Sequence, residues 1–348
     1  MNSFNLDSLV RPVISNLEPY SSARDEFTLA GDEMIFLDAN ENPYQNGVNR
    51  YPDPQQSKLK EVLALRKAMN PNQILLGNGS DEVLDLLFRA FCEPNKDAII
   101  TLPPTYGMYK VLSGINAITN IEVQLTDDYQ PDVERVLQQQ DATTKLLFLC
   151  SPNNPTGTLF SPIIVEKLVQ NFKGIVVIDE AYIDFSAAES WVGKLNEYPN
   201  LVVTQTFSKA YGMAGIRLGV CYASEAIIAV LNKIKPPYNV NELTQQKAMA
   251  RLKDSSKIEQ EITSLLQERD MLSTTLNELP FVDLVLPSEA NFILARVDDA
   301  HKRYQQLLQA GIVVRNRSNQ PLCDNTLRFT VGTPKENKQL IYILQSLV

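Results

Sequence analysis

Between about residue 70 and residue 230, short apolar runs alternate with amphipathic helical stretches, and this rhythm constrains the fold more than any other feature of the chain. Runs of four to seven apolar residues separated by helical patterns are what the βαβ units of a mostly parallel sheet require, because each crossover carries the chain back over a buried face. The spacing predicts strands at 73–76, 98–102, 117–123, 145–150, 174–178, 201–205 and 218–222, seven in all, most of them rich in Ile, Val and Leu. Helices are expected between them, the clearest over 81–91, where Val83, Leu84, Leu87, Phe88 and Phe91 form one continuous apolar face. The stretches 165–172 and 226–234 behave in the same way.

The pattern changes after Lys235-Pro236-Pro237, where two prolines end a helix. Long helical stretches follow to about residue 279, then strand candidates at 282–286, 291–297, 312–315 and 327–331 with helices at 300–310 and 336–347. A chain of 348 residues exceeds what one hydrophobic core usually serves. The expected organisation is a large α/β unit over 30–235 and a smaller α+β unit over 236–348, completed by an N-terminal arm over 1–29.

Composition narrows the function classes. A formal net charge of -9 argues against nucleic acid or anionic membrane as a partner. No apolar run reaches the length of a membrane span, and residues 1–10 lack the order of a signal peptide, so a cytoplasmic place is expected. Cys92, Cys150, Cys221 and Cys323 are widely spaced, which suggests reduced thiols, mostly in the core, rather than a metal site or a disulfide framework. The one histidine, His301, falls in a helical stretch and is expected on its surface. Chemistry that needs a histidine base or a multi-histidine metal site is therefore disfavoured, and proton transfer falls to lysine, carboxylate or tyrosine.

Four motifs follow predicted strands. Thr206-Phe207-Ser208-Lys209 leads into Ala210-Tyr211-Gly212-Met213-Ala214-Gly215-Ile216-Arg217, a grouping of hydroxyls and a guanidinium suited to an anion. Cys150-Ser151-Pro152-Asn153-Asn154-Pro155-Thr156-Gly157 by itself reads as a tight turn. Val177-Ile178-Asp179-Glu180-Ala181-Tyr182 sets an acid and a phenol three residues apart. Gly77-Asn78-Gly79-Ser80-Asp81-Glu82 opens a helix, and a capped helix start and a phosphate seat use the same geometry. Ligands of open parallel sheets gather at the carboxyl ends of the strands, so an amide, an acid with a phenol, and a lysine would meet in one crevice.

Taken in this order, the motifs resemble those of the fold-type I aminotransferases, which use pyridoxal 5'-phosphate, and the resemblance covers nearly the whole chain. It implies a catalytic set of Lys209, Asp179 and Tyr182, with Lys209 as the Schiff-base lysine and Asp179 facing the pyridine nitrogen. Tyr182 and Asn154 would contact the phenolic oxygen, and Tyr106 would stack on the ring. Ser80, Asp81, Thr206, Ser208 and Arg217 would surround the cofactor phosphate. A carboxylate at the ring nitrogen keeps it protonated and so strengthens the ring as an electron sink, while the freed amine of the lysine moves the proton. No histidine and no metal are needed.

A narrower resemblance rests on Leu17-Glu18-Pro19-Tyr20, Leu37-Asp38-Ala39-Asn40-Glu41-Asn42-Pro43, Asn49-Arg50-Tyr51-Pro52-Asp53, Pro103-Pro104-Thr105-Tyr106-Gly107-Met108-Tyr109 and Thr326-Leu327-Arg328-Phe329-Thr330-Val331-Gly332-Thr333. These are similar to histidinol-phosphate aminotransferases, which exchange an amino group between histidinol phosphate and 2-oxoglutarate or glutamate. That family implies Tyr20, Arg315 and Arg328 as the grip on the substrate phosphate, and a homodimer in which Tyr51 is lent by the second subunit to the cofactor phosphate. The run Tyr211-Gly212-Met213 after Lys209-Ala210 departs from the pattern. An aromatic amino-acid aminotransferase or an amino-acid phosphate decarboxylase would share the cofactor residues and differ only in the substrate pocket. A ligand-sensing regulator would need an attached DNA-binding module, and no segment reads as one.

Overall fold

A computed structural model describes residues 4–20 and 35–347. The seven strands of the main sheet are β1 (Ile74–Gly77), β2 (Ala98–Thr101), β3 (Thr119–Glu122), β4 (Thr144–Cys150), β5 (Ile175–Asp179), β6 (Leu201–Thr206) and β7 (Gly219–Ala223). They lie in the order β1-β7-β6-β5-β4-β2-β3, and every pairing is parallel except the two made by β7. The helices of this part are α1 (Pro12–Ser15), α2 (Ser57–Lys67), α3 (Ser80–Phe91), α4 (Met108–Ile115), α5 (Val133–Gln138), α6 (Pro162–Asn171), α7 (Glu225–Ile234) and α8 (Glu242–Leu252).

The strands read as unbroken apolar runs because both faces of the sheet are covered. Leu76, Leu147, Leu149, Val176, Ile178 and Val203 face one core with Leu59 and Leu63 of α2, Val165 and Leu168 of α6 and Ala248 and Leu252 of α8. The alternate residues Leu75, Leu146, Phe148, Val177 and Val202 face a second core with α3 and α7. The α3 stripe expected from the sequence is buried there, and its acidic residues Asp81 and Glu82 sit in the first turn, where the helix dipole favours negative charge.

The second unit is a four-stranded antiparallel sheet, β8 (Val282–Val285), β9 (Phe292–Val297), β10 (Arg315–Asn316) and β11 (Thr326–Thr330), in the order β10-β11-β9-β8. Ile293, Ala295, Leu327 and Phe329 point into a core shared with Leu272 and Leu276 of α9 (Ser255–Asn277), Leu307 of α10 (Ala300–Gln309) and Leu340 of α11 (Pro334–Ser346). Alternation turns Phe292 and Leu294 the other way, onto the main unit, where Phe292 packs with Tyr182 and Leu294 joins the main core.

Several local expectations shift. The strand expected over 312–315 is laddered only at Arg315–Asn316, since Ile312 and Val314 pack into the core without pairing. The outermost strand of the main sheet is shorter than 117–123 because β3 is an edge with partly exposed residues. The arm grouped with the small unit lies instead on the main one over its described part. Leu9 packs against the α3 side of the sheet, Arg11 donates its backbone N–H to the Ala90 carbonyl at 3.0 Å, and its guanidinium pairs with Glu93 at 3.1 Å. Tyr20 is described, but 21–34 and the first three residues lie outside the described part. His301 is exposed on α10 and all four cysteines are buried free thiols. Among the described residues, no helix is long and apolar enough to cross a membrane.

One contact ties the fold to the crevice above it. A Cβ at Gly219, the first residue of β7, would lie 2.2 Å from the backbone nitrogen of Ser80 and 2.4 Å from the carbonyl carbon of Gly79. Gly219→Ala should force β7 away from the start of α3 and destabilise the protein by about 1–3 kcal/mol, as overpacking does. A urea-unfolding midpoint equal to that of the wild type would show that the strand and helix can separate freely.

Candidate active site

The carboxyl ends of β4, β5 and β6 lie side by side. Register pairs Cys150 with Asp179 and Asp179 with Thr204, so the residues leaving these strands enter one crevice. Next to it, the loop from β1 to α3 presents the helix N-terminus, whose first N–H groups have no partner within the helix. A cavity of about 160 Å³ is lined by Ser80, Asp81, Tyr106, Asn154, Asp179, Tyr182, Thr206, Ser208, Lys209 and Arg217, together with Cys150, Ala181 and Ala214. Ten of the residues singled out from the sequence thus meet in one place. Tyr51 does not line it. Its ring stacks on Tyr238 with centroids 4.6 Å apart, and it is half exposed. Tyr20 and Arg315 are exposed, and Arg328 approaches from the small unit.

Asp179 is buried in the floor of the crevice. Its Oδ2 accepts from the Tyr109 hydroxyl at 2.7 Å and its Oδ1 from the Thr204 hydroxyl at 3.2 Å. Burial pushes its carboxyl up, and the hydrogen bonds from Tyr109, Thr204 and the Ala181 N–H pull it back towards the charged form. Neither Tyr109 nor Thr204 stood out in the sequence, although spacing carries both. Tyr109 follows Tyr106 by three residues across the start of α4, and the rings meet edge to face at 5.6 Å. Thr204 precedes Thr206 by two, the period of a strand.

Lys209 extends into the cavity with its Nζ 5.5 Å from the centre of the Tyr182 ring. It makes no ion pair among the described residues, and burial, then the neighbouring Arg328 guanidinium, lower the pKa of its amine, with Asp179 opposing them. A buried amine disposed to lose its proton is both a nucleophile and a base. Asn154 joins the two units: its Nδ2 donates to the Tyr182 hydroxyl at 3.5 Å, and its Oδ1 accepts from Arg328. Burial raises the Tyr182 phenol further above its usual range, so it stays protonated.

The anion seat is shaped by an absence. Gly79 has φ +84°, a left-handed conformation, and a Cβ there would lie 2.5 Å from Nη2 of Arg217. The guanidinium therefore rests against the loop, 3.5 Å from the Asp81 carboxylate, which also accepts from the Tyr106 hydroxyl at 3.0 Å. Glu82, a residue the sequence reading passed over, fastens the loop: it accepts from the Asn78 N–H at 2.6 Å and from the Asn239 amide at 2.7 Å. Thr206 and Ser208 add hydroxyls 3.1 Å apart.

The residues present fit pyridoxal 5'-phosphate: a phosphate seat at one end, a buried acid at the floor for a protonated ring nitrogen, an aromatic ring beside it, and an amine in reach. Sheet and cavity together define a fold-type I transferase that works with this cofactor. The chain belongs to the class I and II aminotransferases, whose family profile matches residues 34–344.

Among curated relatives, a histidinol-phosphate aminotransferase of Flavobacterium johnsoniae is 66% identical over 348 residues, with 100% of each chain covered. One from Christiangramia forsetii is 59% identical, covering 100% of this chain and 99% of that one. The crystal structure of the histidinol-phosphate aminotransferase from Clostridium acetobutylicum superposes with a TM-score of 0.80 at 26% identity, covering 86% of this chain and 91% of that one.

Two substitutions probe the floor of the site. Asp179→Asn should lower turnover by orders of magnitude, since a neutral amide cannot stabilise a proton on a ring nitrogen as a carboxylate does. Tyr109→Phe keeps the ring packing and removes one donor, so the Asp179 carboxyl should titrate at higher pH and the acidic limb of the kcat/KM profile should move up with it. An unmoved limb would mean that the phenol does not tune this carboxylate.

Proposed function

We propose that this chain catalyses transfer of an amino group between L-histidinol phosphate and 2-oxoglutarate, running biosynthetically from glutamate and imidazole acetol phosphate. The observation that carries the reading is the placement of Arg328. It reaches from β11 across to Asn154, beside Tyr182 and Lys209, so a substrate held by this guanidinium lies over the reacting groups. Burial and its neighbouring arginine lower the pKa of that guanidinium to about 10, and its Nε is buried without a partner. A partly buried cation in this state favours an anionic ligand. The full-length likeness to enzymes named for histidinol phosphate supports the same substrate.

When bound, pyridoxal 5'-phosphate supplies the electron sink that stabilises charge at the substrate's α carbon. The chain supplies the rest. Ser80, Asp81, Thr206, Ser208 and Arg217 would hold its phosphate, Asp179 its ring nitrogen, and Tyr182 with Asn154 its phenolic oxygen, while Tyr106 would cover the ring. Lys209 would anchor it covalently and, once displaced by the incoming amine, carry the proton from the α carbon. Arg315, opposite Arg328 on the ladder, and Tyr20 would complete the grip on the substrate phosphate.

The active unit is proposed to be a homodimer. Tyr51 stands outside the cavity of its own chain, and in this reading the partner subunit's copy would reach the cofactor phosphate.

Lys209→Ala should abolish transamination and leave no adduct that borohydride can fix, a direct check on the anchoring lysine. Arg328→Ala should cut kcat/KM for histidinol phosphate far more than for histidinol, on the order of 3–5 kcal/mol if the ester otherwise pairs with a buried guanidinium. Equal turnover of histidinol and its phosphate by the wild type would leave a general aminotransferase instead.

A further inference from the structure

The face of the small sheet that looks onto the crevice carries more positive charge than the two arginines singled out from the sequence. Arg315 lies opposite Arg328 in the β10–β11 ladder. One rung further, Arg317 donates its backbone N–H to the Thr326 carbonyl at 2.9 Å. Leu327 and Phe329 point into the small unit's core, so the alternation of β11 directs Thr326 and Arg328 to the opposite face, and the ladder brings Arg315 and Arg317 alongside them. Arg315, Arg317 and Arg328 therefore share one face, on which Arg296 of β9 also lies, opposite Thr326. Among the described residues none of them enters an ion pair, although seven other arginines do.

Arg317 is partly buried, and its Nε, like that of Arg328, is shielded from solvent with no hydrogen-bond partner. Burial and then Arg315 lower its pKa, while the Tyr182 hydroxyl, on the cavity wall, opposes them. Arg317 is in turn the largest charged influence depressing Arg328. Like charges gathered and partly dried in this way are unfavourable unless an anion joins them, and an anion with two charges offsets them better than one with a single charge.

We propose that Arg317 is a specificity-determining residue that joins Arg315 and Arg328 in binding the substrate's phosphate ester, a further guanidinium beside those two supplying the preference for a dianion. This rests on the proposed reaction and adds to it a residue that reading leaves out. The fork of Arg317 offers donors that a substrate lacking the ester leaves unanswered.

The test uses the full-length protein with its cofactor, assayed with 2-oxoglutarate and either histidinol phosphate or histidinol. In Arg317→Gln, kcat/KM for the phosphate ester should fall about 10- to 100-fold, the worth of one hydrogen-bonded charge, chiefly through KM. The ratio of ester to histidinol should shrink by a similar factor. Arg317→Lys, which keeps the charge and loses the fork, should recover part of the ratio. It also decides the matter if the glutamine variant does not fold, an ester-to-histidinol ratio below that of the wild type being expected. A ratio unchanged in these variants, or an equal fall for both substrates, overturns the role of Arg317 while a selective wild type keeps the reaction itself. A wild type indifferent to the ester overturns both.

Discussion

A carboxylate carried into the interior of a parallel sheet is costly unless something there needs its charge, and Asp179 is such a group. It ends β5 with strands on both sides, and its two oxygens are held by the hydroxyls of Tyr109 and Thr204. Burial alone would neutralise it, and the donors around it work in the opposite direction. The rest of the site is arranged about this balance. Tyr182 leaves the same strand, while Asn154 and Lys209 enter from the ends of β4 and β6 because the ladder sets those ends level, and the helix N-terminus at Ser80 stands beside them with Arg217 against it.

The small sheet completes what the large one begins. Its inner face gives Phe292 to pack edge to face on Tyr182 at 5.1 Å, and Arg328 to reach Asn154. Asn154 thereby touches both the Tyr182 phenol of the large unit and the Arg328 guanidinium of the small one. Burial makes Lys209 lose its proton more readily, and the nearby Arg328 guanidinium adds its field to that effect.

Both units depend on interdigitation rather than on a hinge of few contacts. Leu286 and Leu294 of the small unit lie in the core that also holds α2, α6 and α8. The described arm, with Leu9 and Arg11, braces α3 on that helix's own side of the sheet, the helix whose start lies against Arg217. Positions remote from the chemistry thus support its geometry through packing.

The sequence by itself determined the seven-stranded sheet and the order of the motifs, because apolar runs, helical stripes and strand-end punctuation are local signals, while the full set of the cavity's polar residues followed from the resemblance of those motifs to a known family. It identified Lys209, Asp179, Tyr182, Asn154 and Arg217 through motifs whose residues lie within a few positions of one another. Only the tertiary structure decided that Tyr109 and Thr204 hold Asp179, that Asn239 and Glu82 fasten the loop before α3, that Arg317 shares a face with Arg328, and that the arm lies on the large unit. The reason is physical: a hydroxyl reads the same whether it faces water or a buried acid, and an arginine the same whether it pairs or stands alone. Which of these holds is set by strand register and by packing between units far apart in the chain, and no local pattern carries that information.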